Sequence, residues 1–368
     1  MTDAPTKPQP SSWLKIFGSS IAVCVLALAA AGWVGWQEAS GGHAAHVQAT
    51  LSALASCALL GVLEVSLSFD NAVANATVLR RMTRPWQDAF MTLGMLVAVF
   101  GMRLVFPLAI VAVAGHVSMR HALMLALHDP ARYGTILASA HDGIMGFGGA
   151  FLMMVGLNFF FHPGKHLHWL GWLERPARLA GGVPCISAIT TLLLLLIVKS
   201  LLPPSGSSVF LSAGCWGIVL WGMVEGVNHL LGAAEPESAQ GKSPARGGWR
   251  KGLGLFLYLE VLDASFSFDG VIGAFALSNN LLIIALGLGM GAMVIRALTL
   301  MLVERGVLEN FPYLEHGAFW AITVLAAIMM VSTRLEVPDI ITGTMSALII
   351  GASLLSSIKA KAKGATSP

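Results

Sequence analysis

The chain has 368 residues, of which 56% are hydrophobic and only 11% are charged, and its formal net charge is +3. Soluble domains carry roughly 25% charged residues, so this composition excludes a soluble globular protein. It predicts a polytopic membrane protein with an all-α fold and membrane lipid as its first partner. The basic excess does not indicate nucleic-acid binding, because Lys and Arg collect in the loops on one side of a membrane. The composition leaves the oligomeric state open.

Apolar runs divide the chain into predicted spans, after a Pro- and Ser-rich N-terminus at residues 1–12 that is predicted to be disordered. The first span runs from Trp13 to Trp36. Its apolar run of about 20 residues favours an uncleaved anchor over a cleaved signal peptide. Further spans are predicted at 51–79, 89–115, 140–161, 183–202, 209–231, 253–278, 281–304, 317–333 and 339–358. The sequence thus predicts about ten spans of the length that a membrane helix needs.

The charges of the loops predict the orientation of these spans. With the N-terminus inside, the inner side receives Arg80, Arg81, Arg84, Lys165, Arg175, Arg178, Lys242, Arg246, Arg250, Lys251, Arg305, Lys359, Lys361 and Lys363. The outer side receives only Arg120, Arg132, Lys199 and Arg334. Because Lys and Arg are enriched in cytoplasmic loops, both termini are predicted to be cytoplasmic.

Two polar segments inside apolar spans are similar to each other. Leu63–Leu79 reads LEVSLSFDNAVANATVL, and Leu262–Leu277 reads LDASFSFDGVIGAFAL. Aligning Asp70 with Asp269 also aligns Glu64 with Asp263. Each segment is followed by a glycine nine residues before an arginine, namely Gly94 before Arg103 and Gly287 before Arg296. The sequence therefore predicts an internal repeat that carries its acids at matching positions.

The two segments fall in the second and seventh predicted spans, so the halves would cross the membrane in opposite directions. We therefore expect two inverted-topology repeats, 13–202 and 209–358, separated by a short outer loop at 203–208. Residues 232–252 are predicted to be a flexible cytoplasmic link, and residues 359–368 a basic C-terminal tail. Many secondary transporters have this plan, with their site at the interface of the repeats.

The polar residues of the two segments form stripes on a regular helix. In the first segment one stripe holds Glu64, Ser68, Asn71 and Asn75, and the opposite stripe holds Ser66, Asp70 and Thr77. In the second segment the stripes hold Glu260, Asp263 and Ser267, and Ser265 with Asp269. A membrane helix that is polar on two sides is either surrounded by protein or unwound near its acids, and the sequence does not choose between the two.

Ionisable groups at the bilayer centre cost about 2.5–3.5 kcal/mol each, so these acids require partners. One interpretation is that Arg103 and Arg296 each neutralise an acid and only lock the bundle. It leaves an excess of acids, since two arginines face Glu64, Asp70, Glu260, Asp263 and Asp269. An oxygen-rich, net anionic pocket suits a hard divalent cation. Protonation of an acid when the cation leaves would couple its movement to protons.

The motifs EVSLSFDN and DASFSFDG resemble those of the TerC family of bacterial membrane proteins, over most of residues 51–358. The second motif is more similar still to an uncharacterised TerC-related family, near the LysE-type exporters. The resemblance implies a bacterial inner-membrane protein that exports a divalent cation, Mn²⁺ first and Ca²⁺ next. By motif position it assigns the metal to Glu64, Asp70, Asn71, Asp263 and Asp269. Gly270 departs from the small hydroxyl residue usual in TerC, which puts the identity of the ion in doubt.

Other readings remain. Glu225, Asn228 and His229 share one face of the sixth span and form either a cytoplasmic-side gate or side chains that reach the interface. A membrane scaffold or stress-resistance protein is the first alternative function. An intramembrane aspartyl protease is the second, although the GxGD signature of that class is missing before Asp269. The sequence thus favours a transporter over an enzyme, and it predicts no resident cofactor.

Overall fold

The computed structural model describes residues 13–162, 167–231, 244–274, 277–278, 280–335 and 337–362. The side chains of residues 13–15, 205, 244–248, 267–273 and 339–340 lie outside that description. The predicted disordered N-terminus and the first twelve residues of the predicted link, 232–243, therefore lie outside the described residues, as do the last six residues of the basic tail.

All regular secondary structure in the described residues is helical, which confirms the all-α prediction. The first half contains α1 (Trp13–Glu38), α2 (His43–Leu67), α3 (Phe69–Leu79), α4 (Arg84–Leu96), a π-helical segment (Val97–Val105), α5 (Phe106–Ala114), α6 (Met119–His128), α7 (Pro130–Ser139), α8 (His141–Phe161), α9 (Gly171–Ala180) and α10 (Ile186–Leu201). The second contains α11 (Pro204–Leu230), α12 (Pro244–Ala274), α13 (Leu281–Glu304), α14 (Val307–Asn310), α15 (Leu314–Ser332) and α16 (Asp339–Ala362).

Within the described part of the chain, 8 helices are long and apolar enough to cross a membrane. They are Ile16–Glu38, His43–Leu67, Arg84–Ala114, His141–Phe161, Gly206–Leu230, Leu281–Glu304, Leu314–Ser332 and Ile341–Ala362. The spans predicted at 183–202 and 253–278 correspond to α10, which is apolar but shorter, and to α12, which is not among the 8. The length and apolar composition of these helices support the prediction of a membrane protein.

Two segments differ from the prediction. The span predicted at 51–79 is interrupted at Ser68, whose φ of −100° and ψ of 18° are not helical, so α2 and α3 are separate helices. The second motif has no such break, because α12 is continuous from Pro244 to Ala274. Residues 244–252, predicted to belong to the flexible link, are helical instead, because they form the first part of α12. The two motifs therefore have different backbones, and only the first is interrupted beside its acids.

The helices α8, α13 and α15 form the centre of the bundle, with 72%, 72% and 61% of their apolar windows buried, against 17–33% in the other five. Glycines permit the closest contacts there. A Cβ on Gly291 of α13 would lie 2.8 Å from the carbonyl oxygen of Gly61 in α2, and one on Gly287 would lie 2.7 Å from Cβ of Leu60. Small residues at such positions let membrane helices approach closely. The acidic first motif is thereby packed directly against α13.

Candidate functional site

The first polar centre is built around Arg103 in the π-helical segment. Its Nη2 lies 2.5 Å from Oε1 of Glu64 on α2, and the two side chains are only 3% and 6% exposed. Arg103 also donates to the carbonyl oxygen of Ala98 at 2.7 Å and to that of Leu288 on α13 at 3.1 Å. Ser68 donates to the same Glu64 oxygen at 3.2 Å. The π-helical segment thus directs a fully engaged guanidinium into the bundle, a common position for such segments near functional sites.

The second polar centre is built around Arg296 on α13. Its Nη2 lies 3.0 Å from Oδ2 of Asp263 and 3.4 Å from Oε1 of Glu260, both on α12. Its Nη1 donates to the carbonyl oxygen of Phe90 on α4 at 2.7 Å, and the guanidinium lies over the ring of Phe90. A Cβ on Gly94 would collide with both Arg296 and Glu260. Glycine at that position therefore leaves the space that this ion pair occupies.

A contact across the bundle connects the two motifs. The side-chain amide nitrogen of Asn71, at the start of α3, donates to Oδ1 of Asp263 on α12 at 2.7 Å. Asp263 therefore accepts from a residue of the first motif and from Arg296 at the same time. A carboxylate has no proton to donate, so this bond fixes the orientation of the amide and turns Oδ1 of Asn71 away from Asp263.

Asp70 differs from Glu64, Glu260 and Asp263, because no Lys, Arg or His in the described part of the chain lies within ion-pair distance of it. It is 1% exposed. Its carboxylate accepts from the backbone N–H of Asn71 at 2.9 Å and from the hydroxyl of Ser346 on α16 at 3.1 Å. These donors and the N-terminus of α3 offset part of the cost of a buried charge but supply no counter-charge. Asp70 is therefore the described motif acid that has no cationic group to neutralise it.

Two further oxygen atoms near Asp70 in sequence have no hydrogen-bond partner among the described residues. They are Oδ1 of Asn71 and Oδ1 of Asn75, and both side chains are buried. Asn71 and Asn75 are four residues apart, so they lie on one face of α3. Buried amide oxygens without donors are uncommon and costly. Amide oxygens of this kind are ligands that a hard cation accepts, but they face α12, whereas the carboxylate of Asp70 faces Ser346 on α16.

A preformed metal centre is absent from the described residues, which contain no group of three or more His, Cys, Asp or Glu with suitable geometry. The acids Glu64, Glu260 and Asp263 are held by arginines instead. Any cation bound here would therefore use Asp70 with amide and hydroxyl oxygens, or would displace an arginine.

The family model described as "Protein of unknown function (DUF475)" matches residues 69–363, well over half of the chain. The chain belongs to this family. No curated protein and no solved structure matches this chain. The DUF475 match starts at Phe69, so it includes Asp70, Asp263 and both arginines and begins five residues after Glu64.

The remaining predicted residues of this DUF475 protein occupy different environments. Ser66 is exposed and donates to the carbonyl of Val62 in its own helix, so it is not part of the polar centres. Ser265 is buried but likewise donates within its own helix, to Val261. The side chains of Ser267 and Asp269 lie outside the described residues.

The predicted gate on α11 is divided between two environments. Asn228 is buried, and its Oδ1 has no hydrogen-bond partner, whereas His229 is exposed and Glu225 is partly buried. The three side chains therefore differ in exposure, although they share a helical face.

Sequence reasoning missed two sets of polar residues. Ser346 contacts Asp70 from 276 positions away along the chain, and a single serine in an apolar span gives no signal of that contact. Glu174 of α9 was also missed. It is buried, lies 2.9 Å from both Nδ1 of His316 and Nε1 of Trp320 on α15, and accepts from the backbone N–H groups of Trp169 and Leu170. Glu174 is followed by Arg175 and Pro176, a local pattern that is typical of a basic loop.

Proposed function

We propose that this protein is a membrane transporter for a hard divalent cation, exchanged for protons at a site built on Asp70. The observation that carries the proposal is the buried Asp70 carboxylate, which lacks a cationic partner among the described side chains and accepts from the hydroxyl of Ser346 on α16. A cation with oxygen ligands would neutralise this carboxylate. A proton on Asp70 would replace the cation when it leaves.

The donor chemistry favours Mn²⁺ or Ca²⁺ over softer metals. Carboxylate, amide and hydroxyl oxygens suit hard cations, and the Asp70 region offers no thiolate or imidazole in the described contacts. The TerC-like motifs support the same class and rank Mn²⁺ first. Export from the cytoplasm across the bacterial inner membrane is the direction that this resemblance favours.

The pairing of acids and arginines supports the inverted repeat. The acids aligned by the motifs, Glu64 and Asp263, each pair with the arginine aligned in the same half, Arg103 and Arg296. Each arginine also donates to a backbone carbonyl of the other half, Arg103 to Leu288 and Arg296 to Phe90. Such reciprocal contacts are expected when two related units pack around a pseudo-two-fold axis.

A non-transporting scaffold is the second candidate, because three of the motif acids, Glu64, Glu260 and Asp263, already pair with arginines. In that case Asp70 would be a permanently protonated core residue. Its substitution by Asn would then leave every cation-dependent property unchanged.

The test is cation uptake by proteoliposomes that contain wild type, Asp70→Asn or the matched variant Ser66→Ala at equal protein amounts. Asp70→Asn preserves size and removes charge, so the fold should be retained while Mn²⁺ uptake falls at least about tenfold, equivalent to 1.4 kcal/mol. Ser66→Ala, in the same motif but exposed, should transport normally. An internal pH dye reports the proton movement. Wild-type uptake no greater than that of protein-free liposomes would favour the scaffold, and real uptake that is equal in wild type and Asp70→Asn would show that the site is not built on Asp70.

A further inference from the structure

A polar cavity of about 420 Å³ lies at the opposite end of α2 from its acidic motif. Its walls are the end of α1, the first half of α2 and the chain before α13. The polar groups in its lining are Glu38, Ser52, Ser56, Ser278 and Asn280. None of them belongs to the two arginine centres or to the Asp70 site, so the cavity is a separate feature.

The cavity has one charged residue among its described lining, Glu38, which is exposed and has a hydrogen-bond partner in Asn280. The side-chain nitrogen of Asn280 donates a short hydrogen bond to Oε1 of Glu38. Oδ1 of Asn280 accepts from the backbone N–H groups of Leu282 and Ile283 at the start of α13. Those two N–H groups are thereby occupied, which reduces the attraction of this helix end for anions. Glu38 is also the last residue of α1, where the helix dipole favours a cation.

The cavity is large enough for an ion that keeps its water shell. Six water molecules at about 30 Å³ each occupy about 180 Å³, so a divalent cation with its first water shell fits within the cavity. One carboxylate and several neutral oxygens are too few to replace that shell, and hydrated binding through water is the chemistry that they support. Dehydration would be left to the more deeply buried Asp70.

A closed layer separates the cavity from the acidic motif. Below Ala53 and Ile283 in the cavity lining come Cys57 and Leu60 of α2 and Leu288 of α13, all 3% exposed or less. The close contact between Gly287 and Leu60 seals this layer. In this structure the cavity therefore opens to the surface and does not reach Glu64.

We infer that this cavity is a second cation site, an outer vestibule that holds a hydrated divalent cation against Glu38 before or after it passes the closed layer. The inference rests on the proposed function for its place in transport, but the binding itself does not require Asp70. Asn280 is a positioning residue, because it holds the carboxylate without having a free oxygen of its own to offer.

The experiment measures how fast N-ethylmaleimide labels Ser56→Cys in purified protein whose four native cysteines are replaced by Ala. The reagent is neutral, so Glu38 does not affect its arrival. Mn²⁺ or Mg²⁺ at about ten times its Kd should slow the labelling about tenfold, because only about a tenth of the sites then remain free. The same cations should have no effect in the Glu38→Gln background. Na⁺ at matched ionic strength should have none in either.

Two controls keep the result interpretable. Ser139→Cys, exposed and remote from the cavity, should be labelled at one rate in all salts. Ser52→Cys, a second cavity residue, replaces Ser56→Cys should that variant not fold. Labelling of the cavity cysteine that is insensitive to divalent cations, or equally sensitive in Glu38→Gln, overturns the vestibule. Either result leaves the effect of Asp70→Asn on uptake intact, so failure of the vestibule is distinct from failure of the transport proposal.

Discussion

Arg103 and Glu64 form a buried ion pair in which each side chain neutralises the charge of the other. Both are buried, and the surroundings that they share otherwise consist of backbone carbonyls and the Ser68 hydroxyl. Removal of one partner from a buried ion pair leaves an uncompensated charge, which costs about 3–5 kcal/mol. The pair therefore contributes to the fold in the absence of any transported ion.

Arg103→Met should lower the thermal stability of the detergent-purified protein, because Glu64 loses its counter-charge. Glu64→Gln combined with Arg103→Met should recover part of that loss, because no charge is then buried. The recovery will be incomplete, since the carbonyls of Ala98 and Leu288 still lose a donor. Melting temperatures of the two single variants and the double variant form the measurement. A double variant as unstable as the sum of the singles would show that the residues are not coupled.

Gly94 is predicted to be required for the second centre. Gly94→Ala would place a methyl group where Arg296 and Glu260 now lie, so we expect a loss of about 1–3 kcal/mol from overpacking. Gly101→Ala is the matched control in the same span, because the nearest atom to its Cβ, Cγ1 of Val97, is at an ordinary 3.5 Å. Denaturation midpoints should separate the two variants. Equal midpoints would indicate that the Arg296 pair moves aside without cost.

At the scale of the element, α9 is fixed to the bundle by one carboxylate. Burial raises the pKa of Glu174, but hydrogen bonds from His316 and Trp320 outweigh burial and lower the pKa to about 2. The charged form therefore stabilises the docked helix above the ordinary pKa of 4.5, and this contribution is lost as the pH falls towards about 2. His168, at 3.7 Å from Glu174, and the arginines of α9 are the other charged groups near it.

Pepsin cleavage of the loop before α9 tests this docking, because pepsin acts over the same acidic range. Wild type should become more susceptible as the pH falls from about 4.5 to about 2, after normalisation to an unfolded substrate at each pH. Glu174→Gln should be cleaved readily throughout, since its NH₂ group would face the N–H donors of His316 and Trp320. A wild-type cleavage rate without pH dependence would remove Glu174 as the anchor.

The sequence predicted most elements correctly and could not predict how they meet. Long apolar runs identify membrane helices because the bilayer requires them. The sequence does not predict whether the helix breaks at Ser68, because a helix surrounded by protein and an unwound helix carry the same polar pattern. The contacts of Asp70 with Ser346 and of Asn71 with Asp263 join residues 276 and 192 positions apart. Such contacts depend on the packing of whole helices, for which no local pattern exists.

At the scale of the whole molecule, helix ends that the charge pattern assigns to the same side of the membrane contact each other. Arg80 pairs with Glu315 at 2.9 Å, and Arg84 pairs with Glu304 at 3.1 Å, all at predicted inner ends. Glu38 and Asn280 meet at predicted outer ends. These contacts agree with the predicted grouping of helix ends on two sides of the membrane, whereas the prediction of which side is cytoplasmic rests on the loop charges alone.

The orientation predicts which positions are accessible from outside an intact cell. In a variant without native cysteines, Ser139→Cys and Ser208→Cys should react with a membrane-impermeant maleimide, because both follow an outward-running span. Ser238→Cys, in the predicted link, should react only after the membrane is permeabilised. The inverted repeat requires this result, since spans two and seven run in opposite directions only when an even number of crossings, here four, lies between them. Reaction of both Ser139→Cys and Ser238→Cys in intact cells would place the link on the same side as Ser139, make the halves parallel and remove the shared axis of the inverted repeat.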